Sequence, residues 1–515
     1  MDKERVYHNP VQRGFFADPS VIRVGDDYYM ANSSFQYFPA IPISHSKDMV
    51  NWHIIGHAIA NPDYLDLRAI KDSHGIWAPD LSYIDGKFYV FATLRLNADG
   101  ERDNNVMRRQ LVMWSKRPEG PYSKPMCLEV DDIDPSHFVD EDGSRYMLIA
   151  PGVNAAELTE DSLFLKGSGL RKVWGGTGER CSEGPRIMKK DGWYYAIVAE
   201  GGTGYGHGIN VARSKTLFGE YEPSPYNPVM RQKDPSAPIQ RSGHGQLVQD
   251  SNGDWWCYYL CGRPNGGNYT TVGRETAMDP VTFTEDGWFL INEGKGPSTT
   301  QKAPDLPEVK WERNLFDDFD DKSLNLEWEF VRNPDPGSYS LTERPGYFRI
   351  WTCDGKLSEF RAKNTLVRRE QELSYTAETK LEFYPDHDGE QAGLVCYYST
   401  VTYARFALCM EGERKLQLVI NRNNGEELVA ELAKIPEGPV YLKVCVDHLR
   451  REFFYSFDGE NYTSFAVLEE CTFLCDEGVP GDRKRHTGTF VGIYANNGGC
   501  GSRKAADFDF FRYED

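Results

Sequence analysis

The chain has 515 residues, enough for two sizeable hydrophobic cores. It carries 58 Lys+Arg against 78 Asp+Glu, a net charge of −20, which argues against an electrostatic grip on nucleic acid or an anionic membrane. Aromatic residues make up 13%, Gly numbers 48, and hardly any run of ten residues keeps apolar positions at helical spacing, so the composition predicts an all-β protein of short strands and turns.

The N-terminus MDKERVYHNP has no apolar core of a signal peptide, and no stretch reaches the roughly 18 uninterrupted apolar residues that a membrane span needs. Eleven scattered cysteines fit a reducing compartment better than a disulfide framework. A cytoplasmic protein without nucleic-acid or membrane partners is the expectation; self-association into a homo-oligomer is compatible with it. An acidic chain rich in flat rings suits an uncharged, hydroxylated ligand, because rings stack on sugar faces and carboxylates accept from hydroxyls.

The first 300 residues repeat one design: a polar lead-in, a strand, a tight turn, and an aromatic-rich second strand. The lead-ins run through Asp18 with GDDYYM, Asp80 with DGKFYVFA, Asp134 with EDGSRYMLIA, Glu183 with KDGWYYAIVA, and His244 with SNGDWWCYYL. They lie 62, 54, 49 and 61 residues apart, each gap suiting one four-stranded blade. The spacing predicts a five-bladed β-propeller over residues 1–300 and a Pro- and Lys-rich linker over 301–313. Over 314–515, alternating strands such as SLNLEWEF, KLQLVINR and ADFDFFRY predict an antiparallel, concanavalin-like β-sandwich whose final strand pairs with early ones.

In a propeller, equivalent positions of successive blades ring the axis, so Asp18, Asp134, Glu183 and His244 are expected at one mouth. Glycosidic hydrolysis needs one carboxylic acid to protonate the leaving oxygen and one carboxylate to activate water or attack carbon. Asp18 and Glu183 are the leading pair, and Asp134 lies between them, where its charge is expected to raise the pKa of Glu183. Carboxylates that merely form turns at strand starts give the same spacing. His207, in GYGHG, and Glu200 are further candidates for the same pocket.

The wording of GFFADPSVIRVGDDYYM, NSSFQYFPAIPISHSKDMVNW, GIWAPDLSY, IDPSHFVDEDG, SEGPRIMKKDGWYYAIVAEGGTGYGHGINVARS, SGHGQLV and GRETAMDPVTF, in that order, resembles the family 43 glycoside hydrolases. The likeness is nearest to β-xylosidases and α-L-arabinofuranosidases with a C-terminal sandwich. Related sucrose and fructan enzymes have NDPNG where this chain has ADPSV. The resemblance implies an inverting mechanism with Asp18 as general base, Glu183 as general acid and Asp134 as pKa modulator. It also implies that Arg274 contacts the terminal sugar and that Phe35 and Trp77 line its pocket.

No cofactor is required by this reading. The resemblance allows a calcium ion supported by His244 through water, and Asp318 and Asp509 could offer oxygens to a structural calcium where the sandwich's first and last strands meet. The expected partner is a small oligosaccharide, trimmed from its end for xylose, arabinofuranose or both. NSSFQYFPAIP and RLNADGERDNNVMRRQ are candidate walls of the mouth, and the glycine-rich loop Asn496 to Gly501 is either a third wall or an ordinary solvent-exposed hairpin. The rival is a non-catalytic carbohydrate-binding protein on the same scaffold, which would keep the aromatics but need not keep all three carboxylates.

Overall fold

A computed structural model of the chain describes residues 5–97, 107–167, 169–361, 363–423, 425–481 and 484–515. Its N-terminal part is five antiparallel sheets. They are Ser20–Val24, Asp27–Ala31, Ala40–Ser46 and His53–Ile59; then Gly75–Ile84, Lys87–Arg95, Arg108–Ser115 and Met126–Leu128; then Ser136–Val139, Arg145–Ile149, Val153–Leu158 and Arg171–Trp174. The fourth holds Glu183–Lys190, Trp193–Glu200, Gly208–Ser214 and Glu222–Pro223, with Met230–Arg231 on its third strand. The fifth holds Gln240–Gln249, Trp255–Gly262, Glu275–Phe283 and Phe289–Ile291.

The first strand of each sheet touches the first strands of both neighbouring sheets, and the fifth touches the first, so five blades close around an axis. Local chemistry builds the hairpins. Asp85-Gly86 and Asp191-Gly192 both take left-handed backbone at two consecutive residues, the geometry whose twist matches the flanking strands, and join Ile84 to Lys87 and Lys190 to Trp193. Second strands such as Lys87–Arg95 are buried on both faces because blades stack against each other. Thr300–Lys302 pairs with Val6–His8, so the chain stays on the propeller until it leaves through the stretch containing Trp311, which packs 3.8 Å from His53.

The C-terminal part is two packed sheets. Strand Ser374–Phe383 alternates buried and less buried residues along its length, the period-two pattern of a sheet with one face on a core. That core includes Leu394, Phe406, Ile420, Val444 and Phe508. Last strand Ala505–Glu514 pairs with Phe316–Asp317, as the sequence predicts.

The two parts share structure. Tyr37–Phe38, from the first blade's long connection, pairs with Glu329–Val331 and becomes an edge of one sandwich sheet. Phe15, Phe35 and Tyr37 of the propeller share a core with Val331, Val367, Tyr397 and Phe490 of the sandwich. Residues 98–106 of the second candidate wall lie outside the described residues.

Candidate active site

Each of the five inner strands carries the same backbone break, just before it or within its first five residues. Asp18, Ala78, Asp134, Gly184 and His244 have φ of 54°, 34°, 61°, 60° and 51°, and beside them pairing to the second strand slips in blades two, four and five. Left-handed backbone at a non-glycine residue costs on the order of 1–3 kcal/mol. Its recurrence around the ring aims Asp18, Ala78, Asp134 and His244 into one cavity of about 200 Å³, which Glu183 also lines. Drug-sized ligands take cavities of about 300–1,000 Å³, so this one suits a single small ring.

The second-blade equivalent is therefore Ala78, two residues before the expected Asp80. Asp80 lies one layer down the axis, where it accepts from Ser20 Oγ at 3.0 Å and from the His137 amide at 2.7 Å, and is ion-paired with buried Arg186. That layer is structural: it locks blades one, two, three and four together beneath the cavity.

Asp18 is buried and doubly held. Arg274 Nη1 donates to its Oδ1 at 2.9 Å and Ser33 Oγ to its Oδ2 at 2.6 Å. Burial works to raise its pKa, but Arg274, His244 and the Ser33 hydroxyl outweigh it and hold Asp18 below the ordinary aspartate value. Asp134 has the opposite environment. Its Oδ2 accepts from the Gly184 amide at 2.9 Å, yet burial and the charges of Glu183 and Asp18 push it well above the ordinary value.

Glu183 opens blade four, and its Oε1 lies 3.6 Å from His207 Nε2. Burial and the Asp18 charge push its pKa up, but His207 and His244 pull harder and leave it below the ordinary glutamate value. Of these two carboxyls, Asp134 is the one raised, by burial and by the charges of Glu183 and Asp18, whereas Glu183 is held low. His244 Nδ1 lies 3.8 Å from Asp18 Oδ1 and 3.9 Å from Asp134 Oδ2. Burial pushes His244 down to about 4, against the pull of Asp18 and Glu183, so its ring is neutral near pH 7.

Phe35 and Trp77 line the cavity with rings 5.8 Å apart, and Arg95 sits 4.7 Å from the Trp77 ring. Phe35 is itself left-handed and is bridged to Ile76; a Cβ on neighbouring Gly75 would come within 2.1 Å of the Phe35 carbonyl, so only glycine allows this approach. His207 does not line the cavity but packs behind Glu183. Glu200 is buried elsewhere, accepting from Thr177 and Asn210.

The sandwich closes the mouth, though not through the glycine-rich loop. Asn496 to Gly501 packs against Gly389 within the sandwich. Instead His486 lines the cavity, and Arg274 Nε donates to its carbonyl at 2.9 Å. Beside it Asp476 and Glu477 grip Arg241 at 3.0 and 3.3 Å, and Gly273 packs on Gly488. Nothing in the segment's sequence marks it, because it belongs to no repeat and its contacts run to blade five.

The oxygens nearest His244 accept from Arg274, Ser33 and the Gly184 amide, so a calcium ion supported by His244 through water would take most of its six to eight oxygens from water. Asp318 accepts from the Asp320 amide at 3.2 Å and Asp509 pairs with Lys380 at 2.6 Å, so that expected pair does not converge. Among the described residues, the three-donor group able to hold a metal is Asp386, His387 and Glu390, on a sandwich loop.

The family model for glycosyl hydrolases family 43 matches residues 7–289, and that for the β-xylosidase C-terminal concanavalin A-like domain matches residues 316–514. The chain is 35% identical to a xylan 1,3-β-xylosidase of a Vibrio species over 98% of both chains. It is 35% identical to a non-reducing-end α-L-arabinofuranosidase of Bacteroides ovatus, over 99% of this chain and 95% of that one. A solved structure of a family 43 protein from Bacillus licheniformis is 55% identical, with a TM-score of 0.95 over 99% of this chain and all of the other.

Proposed function

Since the chain belongs to glycosyl hydrolases family 43 and is therefore a glycoside hydrolase, we propose that it is an inverting, exo-acting enzyme that releases xylose, arabinofuranose or both from short xylan-derived or arabinose-substituted oligosaccharides. The observation that carries this reading is the convergence of Asp18, Asp134 and Glu183 on one cavity sized for a single sugar, with Asp18 held low and Asp134 pushed high. Relatives named for xylosidase and for arabinofuranosidase activity support both sugars, whose rings and hydroxyls overlay in one pocket.

Asp18 stays ionised and takes a proton from a water that attacks the anomeric carbon. Glu183 gives a proton to the glycosidic oxygen as the bond to the leaving sugar breaks. Water's oxygen ends on the anomeric carbon, one proton rests on Asp18, and the leaving sugar carries the proton from Glu183. Asp134 and Glu183 titrate as a coupled pair, so the negative charge of one favours protonation of the other. Phe35 and Trp77 give the sugar an apolar wall, and Arg274 fixes both Asp18 and the mouth. Such acid–base assistance contributes roughly 10²–10⁴-fold each.

The location proposed is the cytoplasm, where the enzyme would meet imported fragments; the eleven free cysteines support a reducing compartment. Activity confined to a secreted fraction would overturn that part. The mechanism is tested by proton NMR during the first minutes of β-xyloside hydrolysis. The first-formed xylose must be the α-anomer; an initial β-anomer means retention and removes Asp18 from the role of base.

A further inference from the structure

His207 is fully buried and walls no part of the cavity, yet one of its nitrogens faces Glu183. Its Nδ1 lies 3.2 Å from the carbonyl oxygen of Arg241, which can only accept. The proton of a neutral ring is therefore on Nδ1, and Nε2 presents a lone pair. That Nε2 is buried with no hydrogen-bond partner and sits 3.6 Å from Glu183 Oε1.

We infer that His207 is a positioning residue that keeps a proton at Glu183, and that the sandwich fixes it in this role through Arg241. The inference rests on the reading of Glu183 as general acid. With Nε2 as acceptor, the carboxyl and ring hold one proton between them; His207 lowers the Glu183 carboxyl itself because the carboxylate is favoured whenever that proton lies toward Nε2, while the proton stays with the pair. Removing it leaves two buried acceptors face to face, which is costly. The glycosidic oxygen takes this proton at the moment the bond to the leaving sugar breaks, and solvent restores it after product leaves.

The seat of the ring is built from both domains. Gly243 packs against it so closely that a Cβ there would lie 2.4 Å from Nδ1. Arg241 holds its carbonyl in place from a left-handed backbone, φ 63°. Its guanidinium is buried against Asp476 Oδ2 at 3.0 Å and Glu477 Oε1 at 3.3 Å of the sandwich, and donates to Thr270 Oγ1 at 2.7 Å and the Thr203 carbonyl at 2.9 Å. The other titratable groups facing the pair are His244, Asp18 and Asp134 around Glu183.

The test uses the full-length enzyme and pH profiles of kcat/KM on two substrates. Xylobiose needs its leaving group protonated; a dinitrophenyl xyloside does not. His207→Phe should lose at least about tenfold on xylobiose, keep its dinitrophenyl rate within about twofold, and move the alkaline limb down by about one pH unit. Glu477→Gln should move the limb the same way by less. Equal losses on both substrates with an unmoved limb would overturn the inference. If Glu183→Ala itself shows no dependence on leaving group, the acid assignment fails instead. Nitrogen NMR of the histidine-labelled wild-type enzyme, assigned against His207→Gln, should find the proton on Nδ1; a proton on Nε2 alone overturns the inference even where His207→Phe does not fold.

Discussion

One guanidinium ties the cavity floor to the second domain: Arg274 Nη1 lies 2.9 Å from Asp18 Oδ1 while its Nε lies 2.9 Å from the carbonyl of His486. The pair is buried on both sides, so its charges are weakly screened.

Arg274→Ala removes the cation that, with His244 and Ser33, holds Asp18 down against its burial. The Asp18 pKa must rise, and because a base works only when ionised, the acidic limb of kcat/KM should move toward neutral pH. Loss of one partner from a buried pair costs about 3–5 kcal/mol of stability, so the melting temperature should fall along with the activity. A large loss with an unmoved acidic limb would show that Arg274 only binds sugar.

Asp134→Asn bears on the coupled carboxyls. Asp134 is raised by burial and by the charge of Glu183, and that repulsion is mutual. With Asn there, the proton that the two carboxyls share can sit only on Glu183, which is held below its ordinary value, so the alkaline limb should shift downward while the rate falls. An unmoved alkaline limb would leave Asp134 as the anchor of the Gly184 amide and nothing more.

The sequence reveals the repeat because each blade must bury the same faces, and the three acidic lead-ins do meet in one cavity. The slip at the second blade, Ala78 rather than Asp80, arises because the true marker of equivalence is a left-handed backbone residue, which a side-chain pattern does not display. His486 and the strand Tyr37–Phe38 were illegible for another reason. Both work across the domain boundary, His486 on Arg274 and Tyr37–Phe38 on Glu329–Val331, and a pairing nearly 300 residues apart leaves no local periodicity. The glycine-rich loop Asn496 to Gly501 stayed open between two readings because glycine permits close approach without saying to what; here the neighbour is Gly389.

His57 predicts how stability depends on pH. It is 5% exposed in strand His53–Ile59, its Nε2 has no partner, and burial together with the Arg369 charge pushes its pKa down to about 3. An unfolded histidine titrates near 6.5, so between about pH 6.5 and 3 the unfolded chain binds a proton that the folded one refuses. Stability is lost as pH falls through that window, by about 1.4 kcal/mol per pH unit from this group. His57→Leu should therefore narrow the fall in melting temperature between pH 7 and pH 5 relative to wild type. Parallel curves for the two proteins would mean that His57 accepts a proton in the folded state.

A chain ending at Lys302 tests whether the propeller stands alone. It keeps all five blades and the pairing of Val6–His8 with Thr300–Lys302. It loses the partner strand of Tyr37–Phe38 and leaves Phe15, Phe35 and Tyr37 without the sandwich half of their core. It also strands two buried charges: Asp72 without Arg332, 2.8 Å away, and Arg241 without Asp476. Each broken buried pair costs about 3–5 kcal/mol, against a total stability of about 5–15 kcal/mol for a typical domain. The exposed apolar patch adds an aggregation hazard, and the cavity loses His486 from its rim. The truncated chain should be insoluble, or soluble and inactive on both xylo-oligosaccharides and aryl glycosides. Supplying residues 314–515 as a separate chain during refolding should restore part of the activity, since the lost contacts are non-covalent. A soluble truncated propeller with full activity on xylo-oligosaccharides would show that Arg274 and Arg241 hold their positions without the sandwich.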